Sequence, residues 1–331
     1  MSRGRGPAHR RGSNSISEDF DSTGKPECKR HLMKKARPTA SNALFVFLLS
    51  VSAIFVQAPS SAANDTVKWF RVDIPPVYMV DGGDRQGFGD LSMQFVMDRL
   101  GHYAHETVTT NMSRGLSMLE SGDNVSFSTL LKNKEREEFV EFSVASQLVL
   151  PLHVVTAQED AQLFSEHMDE NGLVDFESVL ADGRIAVGVA SGRSYSVFLD
   201  DILMEFKDND NLYERSSPNI SAGLIDMIEA GRIDCTLEFP VTVERLRKEN
   251  AIKDNEYTYL PIKGMPEFFV THFAAPKNEW GAQLIREIDQ ILLQYRATDE
   301  FIGFYREWLD ESLQAGYEAA AKKRFLELET R

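Results

Sequence analysis

The chain has 331 residues, of which 42% are hydrophobic and 26% charged, and a net charge of −15. That composition excludes a disordered or fibrous chain and leaves room for two domains, each with its own core. It also argues against a nucleic-acid partner, because an electrostatic nucleic-acid binder needs a basic stripe.

The charge is unevenly spread. Residues 1–37 carry ten Lys/Arg against four Asp/Glu, and residues 38–62 carry no charge at all. Lys34, Lys35 and Arg37 precede the 14-residue apolar run ALFVFLLSVSAIFV, residues 43–56. APSSAA follows, placing Ser60 and Ala62 at −3 and −1 of a cleavage site after Ala62. Basic, apolar and small-residue segments in this order predict a signal peptide over residues 33–62. The apolar run falls short of the roughly 18–20 residues that span a bilayer. Residues 1–32 read as an extension upstream of a more ordinary start at Met33. Cleavage leaves Cys235 without a disulfide partner, and no Cys stands at the cleavage site to carry a lipid. The expectation is a soluble protein exported to a bacterial periplasm.

Beyond residue 62, strand-like and helix-like segments alternate, the pattern of an α/β fold. TVKWFRVDI reads as a strand that stops at Pro75-Pro76, and DGGDRQGFGD as a turn with Asp90 as helix N-cap. Leu91, Phe95, Val96 and Leu100 then recur at helical spacing. HYAHETVTT predicts a strand, SRGLSMLESG a short helix closed by Gly122, and NVSFSTLL a third strand. The stretch KEREEFVEFS, residues 134–143, sets Arg136 among Glu135, Glu137 and Glu138 before an apolar run. It reads either as a solvated turn ahead of a buried strand, with Phe139, Val140 and Phe142 in the core, or as a cationic handle at the lip of a pocket.

A second cycle follows the extended stretch FSVASQLVLPLHVVTA. GRIAVGVASG predicts a strand ending in a turn at Gly192. Ser194 then caps a helix whose Phe198, Ile202 and Phe206 share a face. NISAGLIDMIEAGRIDCTLEF predicts a helix, a turn at Gly231 and a buried strand. YTYLPI and PEFFVTHFAAP lead back, and two helices close the chain. One shows Trp280, Leu284, Ile288, Ile291 and Tyr295; the other shows Phe301, Phe304, Trp308 and Leu309. The expected organisation is a first lobe of residues 63–152 plus 262–331 and a second lobe of residues 153–261. Two extended crossings join them, and ligands favour such inter-lobe clefts.

Signatures of common chemistry are missing. The close pair His102 and His105 lacks metal-site spacing and reads as a surface or strand-end feature. The sequence also has no Gly-x-Ser-x-Gly elbow, P-loop or dinucleotide fingerprint. What remains is Arg136 and the corner ASGRSYSVF, where a helix starting near residues 193–195 would offer free N–H groups to an anion. An Arg from one lobe and a helix start from the other would together grip a carboxylate.

In this order the segments resemble bacterial periplasmic solute-binding proteins of family 3, which include the polar amino-acid binders of ABC importers. The resemblance spans about residues 66–310 and marks a divergent member. It is carried by Glu135-Arg136 followed by Glu141-Phe142-Ser143, by GFGDL (residues 87–91), by MLESGDN and MIEAGRID, and by AVGVASGRSY. It implies an α/β, two-lobed, type 2 periplasmic-binding fold with two crossover strands as a hinge, and no cofactor or metal. It also implies that Arg136 binds a ligand carboxylate, helped by Arg193 and Ser194.

The departures from the family pattern are specific. Leu131 stands where a Ser or Thr often lies five residues before the Arg, and Arg193 replaces the first Thr of the corner. Phe239, with Glu238 beside it, occupies the usual position of the acid that binds an ammonium group. That role therefore falls to Glu238 or Asp73, with Tyr78 as an apolar wall and Thr129 as a further candidate contact. The expected function is capture of a small anionic solute by a monomeric receptor serving an ABC permease. Two alternatives stand beside it. One is a dehydratase-like enzyme on the same scaffold with Glu238 as general acid; the other is a sensory module, without a ligand, for a membrane receptor.

Overall fold

The computed structural model describes residues 65–328 apart from 81, 82, 84, 217, 218 and 254. The expected N-terminal extension and signal peptide lie outside the described residues. The first cycle contains β1 (Thr66–Arg71), α1 (Phe88–Met97), β2 (Ala104–Thr109), α2 (Met112–Glu120), β3 (Val125–Leu131) and β4 (Val140–Val149). Next come β5 (His153–Ala157), α3 (Phe176–Asp182), β6 (Val187–Ala190), α4 (Val197–Glu205) and β7 (Leu212–Arg215). The second cycle is completed by α5 (Ile220–Glu229), β8 (Cys235–Glu238), α6 (Pro240–Lys248) and β9 (Tyr257–Pro261). The return is β10 (Phe269–Pro276), then α7 (Glu279–Tyr295), α8 (Asp299–Arg306) and α9 (Glu311–Glu327).

These strands form two five-stranded sheets, in the orders β2-β1-β3-β10-β4 and β7-β6-β8-β5-β9. In the first, β1 is parallel to β2 and β3, while β10 runs antiparallel to β3 and β4. In the second, β6 is parallel to β7 and β8, while β5 runs antiparallel to β8 and β9. Parallel neighbours require a crossover, and a helix supplies each one. Residues 150–152 carry the chain from the first sheet to the second, and residues 262–268 carry it back. The two-lobed reading follows from that double crossing.

Each sheet has its own core. Val67, Trp69, Phe95, Phe273, Leu284, Ile288 and Phe301 pack together on the first. Val154, Val187, Leu224, Leu237, Phe164 and Phe176 pack together on the second. β6, buried at all four positions, reads VGVA because both of its faces are covered. Val140 and Phe142 are in the core as expected, and Phe139 packs partly against it.

Three local expectations change. Asp90 is not the N-cap of α1: Gly87 holds that position and Asp90 sits at N3, accepting from the N–H groups of Gly87 (3.0 Å) and Met79 (2.9 Å). Glycine is required there, because a methyl group would lie 2.3 Å from the carbonyls of Pro76 and Val77. The cap of α4 is Ser196, which accepts from Leu199 N–H, rather than Ser194. That helix buries Leu199 and Ile202, while Phe198 is 42% exposed.

A third closing helix, α9, extends the chain beyond the two expected. Its buried stripe is only Tyr317, Ala321 and Phe325, too narrow to stand out from the surrounding Ala, Lys and Glu. Polar anchors bind it to the first sheet. Tyr317 donates to Leu148 O (2.9 Å). Arg296, 5% exposed, donates to the carbonyls of Ala145, Phe325 and Leu328. Arg296→Met strands those carbonyls and is expected to cost roughly 2–4 kcal/mol in urea denaturation. A loss below about 0.5 kcal/mol would show that α9 is held by packing alone.

Candidate functional site

In open α/β sheets, ligands bind beyond the carboxyl ends of the parallel strands, where loops and helix starts converge. On the first sheet that edge carries the segment after β3. Asn133 organises it by accepting from Arg136 N–H (2.9 Å), and residues 136–138 form a single 3₁₀ turn. The Arg136 guanidinium donates to Leu131 O (2.7 Å) and has no carboxylate within ion-pair distance among the described residues. The adjacent glutamates do not neutralise it: Glu137 pairs with Lys132 (2.9 Å). Arg136 is half-buried and its charge stays uncompensated.

The strand that precedes it, β3, carries part of a hydroxyl chain. Thr129 donates to the Tyr78 hydroxyl (3.0 Å), which sits 2.7 Å from Ser128 Oγ, and Ser128 donates to Gly89 O (3.0 Å). Tyr78 is 0% exposed and packs at a tilt against Phe127, and burial pushes its phenol up to about 12. The ring expected as an apolar wall lies in the core, and its hydroxyl meets Thr129 and Ser128. Asp73 is exposed at the start of the same loop. The start of α1 is covered as well, since Phe88 N–H and Gly89 N–H donate to Pro76 O and Val77 O.

On the second sheet, Arg193 and Glu238 meet directly. Arg193 Nη1 and Nη2 donate to Glu238 Oε2 (2.6 Å) and Oε1 (2.9 Å). Ser221 Oγ (2.7 Å) and Phe239 N–H (2.9 Å) donate to the same carboxylate, which is 1% exposed. A carboxylate offers about four acceptor positions, so Glu238 is saturated by its own chain. Its lone pairs are taken within the chain rather than turned toward a ligand, unlike the arrangement expected of it. Burial alone would lower the Arg193 pKa, but the Glu238 hydrogen bonds outweigh it and hold the guanidinium above its ordinary value. Arg193 also lies 4.8 Å from the Tyr195 ring.

The helix start at this corner is occupied too. Gly192 turns the chain at φ +73°. Asp200 then accepts from Ser194 Oγ (2.5 Å) and Tyr195 N–H (2.8 Å). The expected free N–H groups at residues 193–195 are thus partly spent on an internal anion, and Ser194 points its hydroxyl at Asp200. Against the opposing effect of partial burial, hydrogen bonds from Ser194, Tyr195 and Ser196 hold the Asp200 carboxyl below its ordinary value. The structure therefore joins Arg193 to Glu238 and Thr129 to Tyr78, and leaves Arg136 unpaired. Sequence reasoning missed Ser221 and Asp200. Their only signal was a small or acidic polar residue in the first turn of a helix.

No protein-family profile and no curated protein matches the chain. Solved structures do. The second substrate-binding domain of Lactococcus lactis GlnP, in open conformation, aligns with a TM-score of 0.54 at 13% identity, covering 74% of this chain and 96% of that domain. The probable amino-acid ABC transporter extracellular-binding protein YtmK of Bacillus subtilis gives 0.54 at 17%, covering 75% and 99%. The second substrate-binding domain of a putative amino-acid ABC transporter of Streptococcus pneumoniae gives 0.54 at 14%, covering 74% and 100%. The similarity defines the fold: the two sheets are those of the two-lobed type 2 periplasmic-binding-protein architecture, as the resemblance in sequence implied.

Glu238→Gln weakens the bidentate pair and leaves Arg193 partly unmatched. With a quarter of the Arg193 side chain exposed, the cost in urea denaturation is about 1–3 kcal/mol. The double variant Arg193→Met/Glu238→Met should lose less than Glu238→Gln, and a larger loss would contradict the pairing. Asp200, with its lowered pKa, stabilises the fold above the unfolded carboxylate pKa and loses that effect as pH falls through its folded value. Asp200→Asn is accordingly less stable than the parent at pH 7, and thermal melts should show the gap closing below about pH 4.

Proposed function

We propose that the chain is an exported solute receptor that captures a small carboxylate-bearing solute between its two lobes and delivers it to a membrane partner, an ABC permease first of all. The observation that carries this reading is Arg136, a half-buried guanidinium at the carboxyl edge of the first sheet with no carboxylate partner among the described residues. Leu131 O steers one of its N–H groups and leaves others for a bidentate carboxylate. The similarity to binding domains of amino-acid ABC transporters supports a non-catalytic capture mechanism. Saturation of Glu238 favours an organic acid without an α-ammonium group over a free α-amino acid, which would need another acceptor, such as Asp73. Arg193 and Thr129 are the remaining proposed contacts, one from each lobe. Ser194 serves the site indirectly, by fixing the corner through Asp200.

A thermal-shift and calorimetry panel of amino acids and organic acids tests the reading. The parent protein is expected to be stabilised by at least one acid. Arg136→Ala should lose about tenfold or more in affinity for it while its ligand-free melting point is unchanged. Undiminished binding in that variant would remove Arg136 from the site.

A further inference from the structure

Arg215 is the last residue of β7. It is in register with Ala190 at the end of β6, and its carbonyl accepts from Ser191 N–H (2.8 Å). It therefore stands at the carboxyl edge of the second sheet, one strand away from the corner that carries Arg193. Its guanidinium rests on the first turn of α5, where Gly223 makes room: a methyl group at Gly223 would lie 2.3 Å from Arg215 Nε and 2.5 Å from Nη2. The Nε atom is buried without a hydrogen-bond partner, and no carboxylate reaches the side chain within 4.0 Å among the described residues. The contrast with Arg193, held by both oxygens of Glu238, is direct. A cation set against the positive end of a helix without a counter-charge is an unfavourable arrangement that a bound anion relieves.

We infer that Arg215, seated by Gly223, is a second anion anchor, and that the solute is dianionic, a small dicarboxylate with one acidic group on Arg136 and the other on Arg215. The inference rests on the receptor reading given above and deepens it. On the second lobe Glu238 already neutralises Arg193, and on the first the glutamates beside Arg136 leave it uncompensated. Arg136 and Arg215 thus stand on opposite lobes, which sets a requirement for two separated negative groups.

The test is isothermal titration of the mature protein with succinate, glutarate and adipate, each beside its monomethyl ester. At least one diacid should bind about tenfold or more tightly than its ester. Arg215→Gln should remove that preference while leaving the ester's affinity as it was. Gly223→Ala should do the same without removing the charge, because it displaces the guanidinium and at the same time favours the helix. Equal affinity of diacid and ester in the parent protein overturns the inference, as does an Arg215→Gln variant that changes only the melting point. Ester binding that needs Arg136 but not Arg215, with no diacid preference, keeps the receptor and sinks the dianion. No binding by any of the six compounds overturns the dicarboxylate assignment, and failure of the wider acid panel as well overturns the receptor reading.

Discussion

The second lobe is organised around one buried carboxylate. Glu238 ends β8 and gathers donors from three separate places: Arg193 from the corner after β6, Ser221 from the start of α5, and the backbone N–H at its own junction with α6. Burying a charge is costly unless it is paired and hydrogen-bonded, and here every acceptor position is filled. The consequence is geometric as well as energetic. The loops at the carboxyl edge are tied to one another through this carboxylate, and the charge of Arg193 is largely spent inside the protein.

The first lobe follows the opposite rule at its edge. Asp90 is consumed by Arg71 (2.6 Å) and by two backbone N–H groups, so the loop over α1 is tied down. Arg136, by contrast, is oriented by a carbonyl and left without a counter-ion. Arg193 is thus paired within the chain, and Arg136 is not. The C-terminal helix adds a further constraint. Asp310, immediately before α9, pairs with Arg247 of α6 (2.7 Å), and Leu313 packs against the core of the second sheet. The rest of α9 is fastened to the first sheet through Tyr317 and Arg296. The C-terminal helix therefore touches both lobes.

Much of this was legible in the chain because it depends on local periodicity. The alternation of TVKWFR, the helical spacing in residues 91–100 and the glycine turns at 122, 192 and 231 each express a short-range rule. The double crossing followed from the order of those segments. The errors came where a residue's role depends on partners distant in sequence. Tyr78 could be read as a wall until Phe127, Ser128 and Thr129 enclosed it. Ser194 looked like a cap because nothing nearby announced that Asp200 would claim it. α9 was missed because a three-residue apolar stripe resembles a solvated helix until a core exists to receive it.

The sequence by itself determined the two α/β cycles, their junctions and the placing of Arg136 among three glutamates, since each of these is set within a dozen residues. Only the tertiary structure decided which charges are spent. Glu238 and Arg193 are 45 residues apart, and a one-dimensional reading could assign each to a ligand. Once folded they satisfy each other, because a carboxylate and a guanidinium brought together inside a protein release more free energy paired than apart. The same folding leaves Arg136 and Arg215 without a carboxylate partner among the described residues.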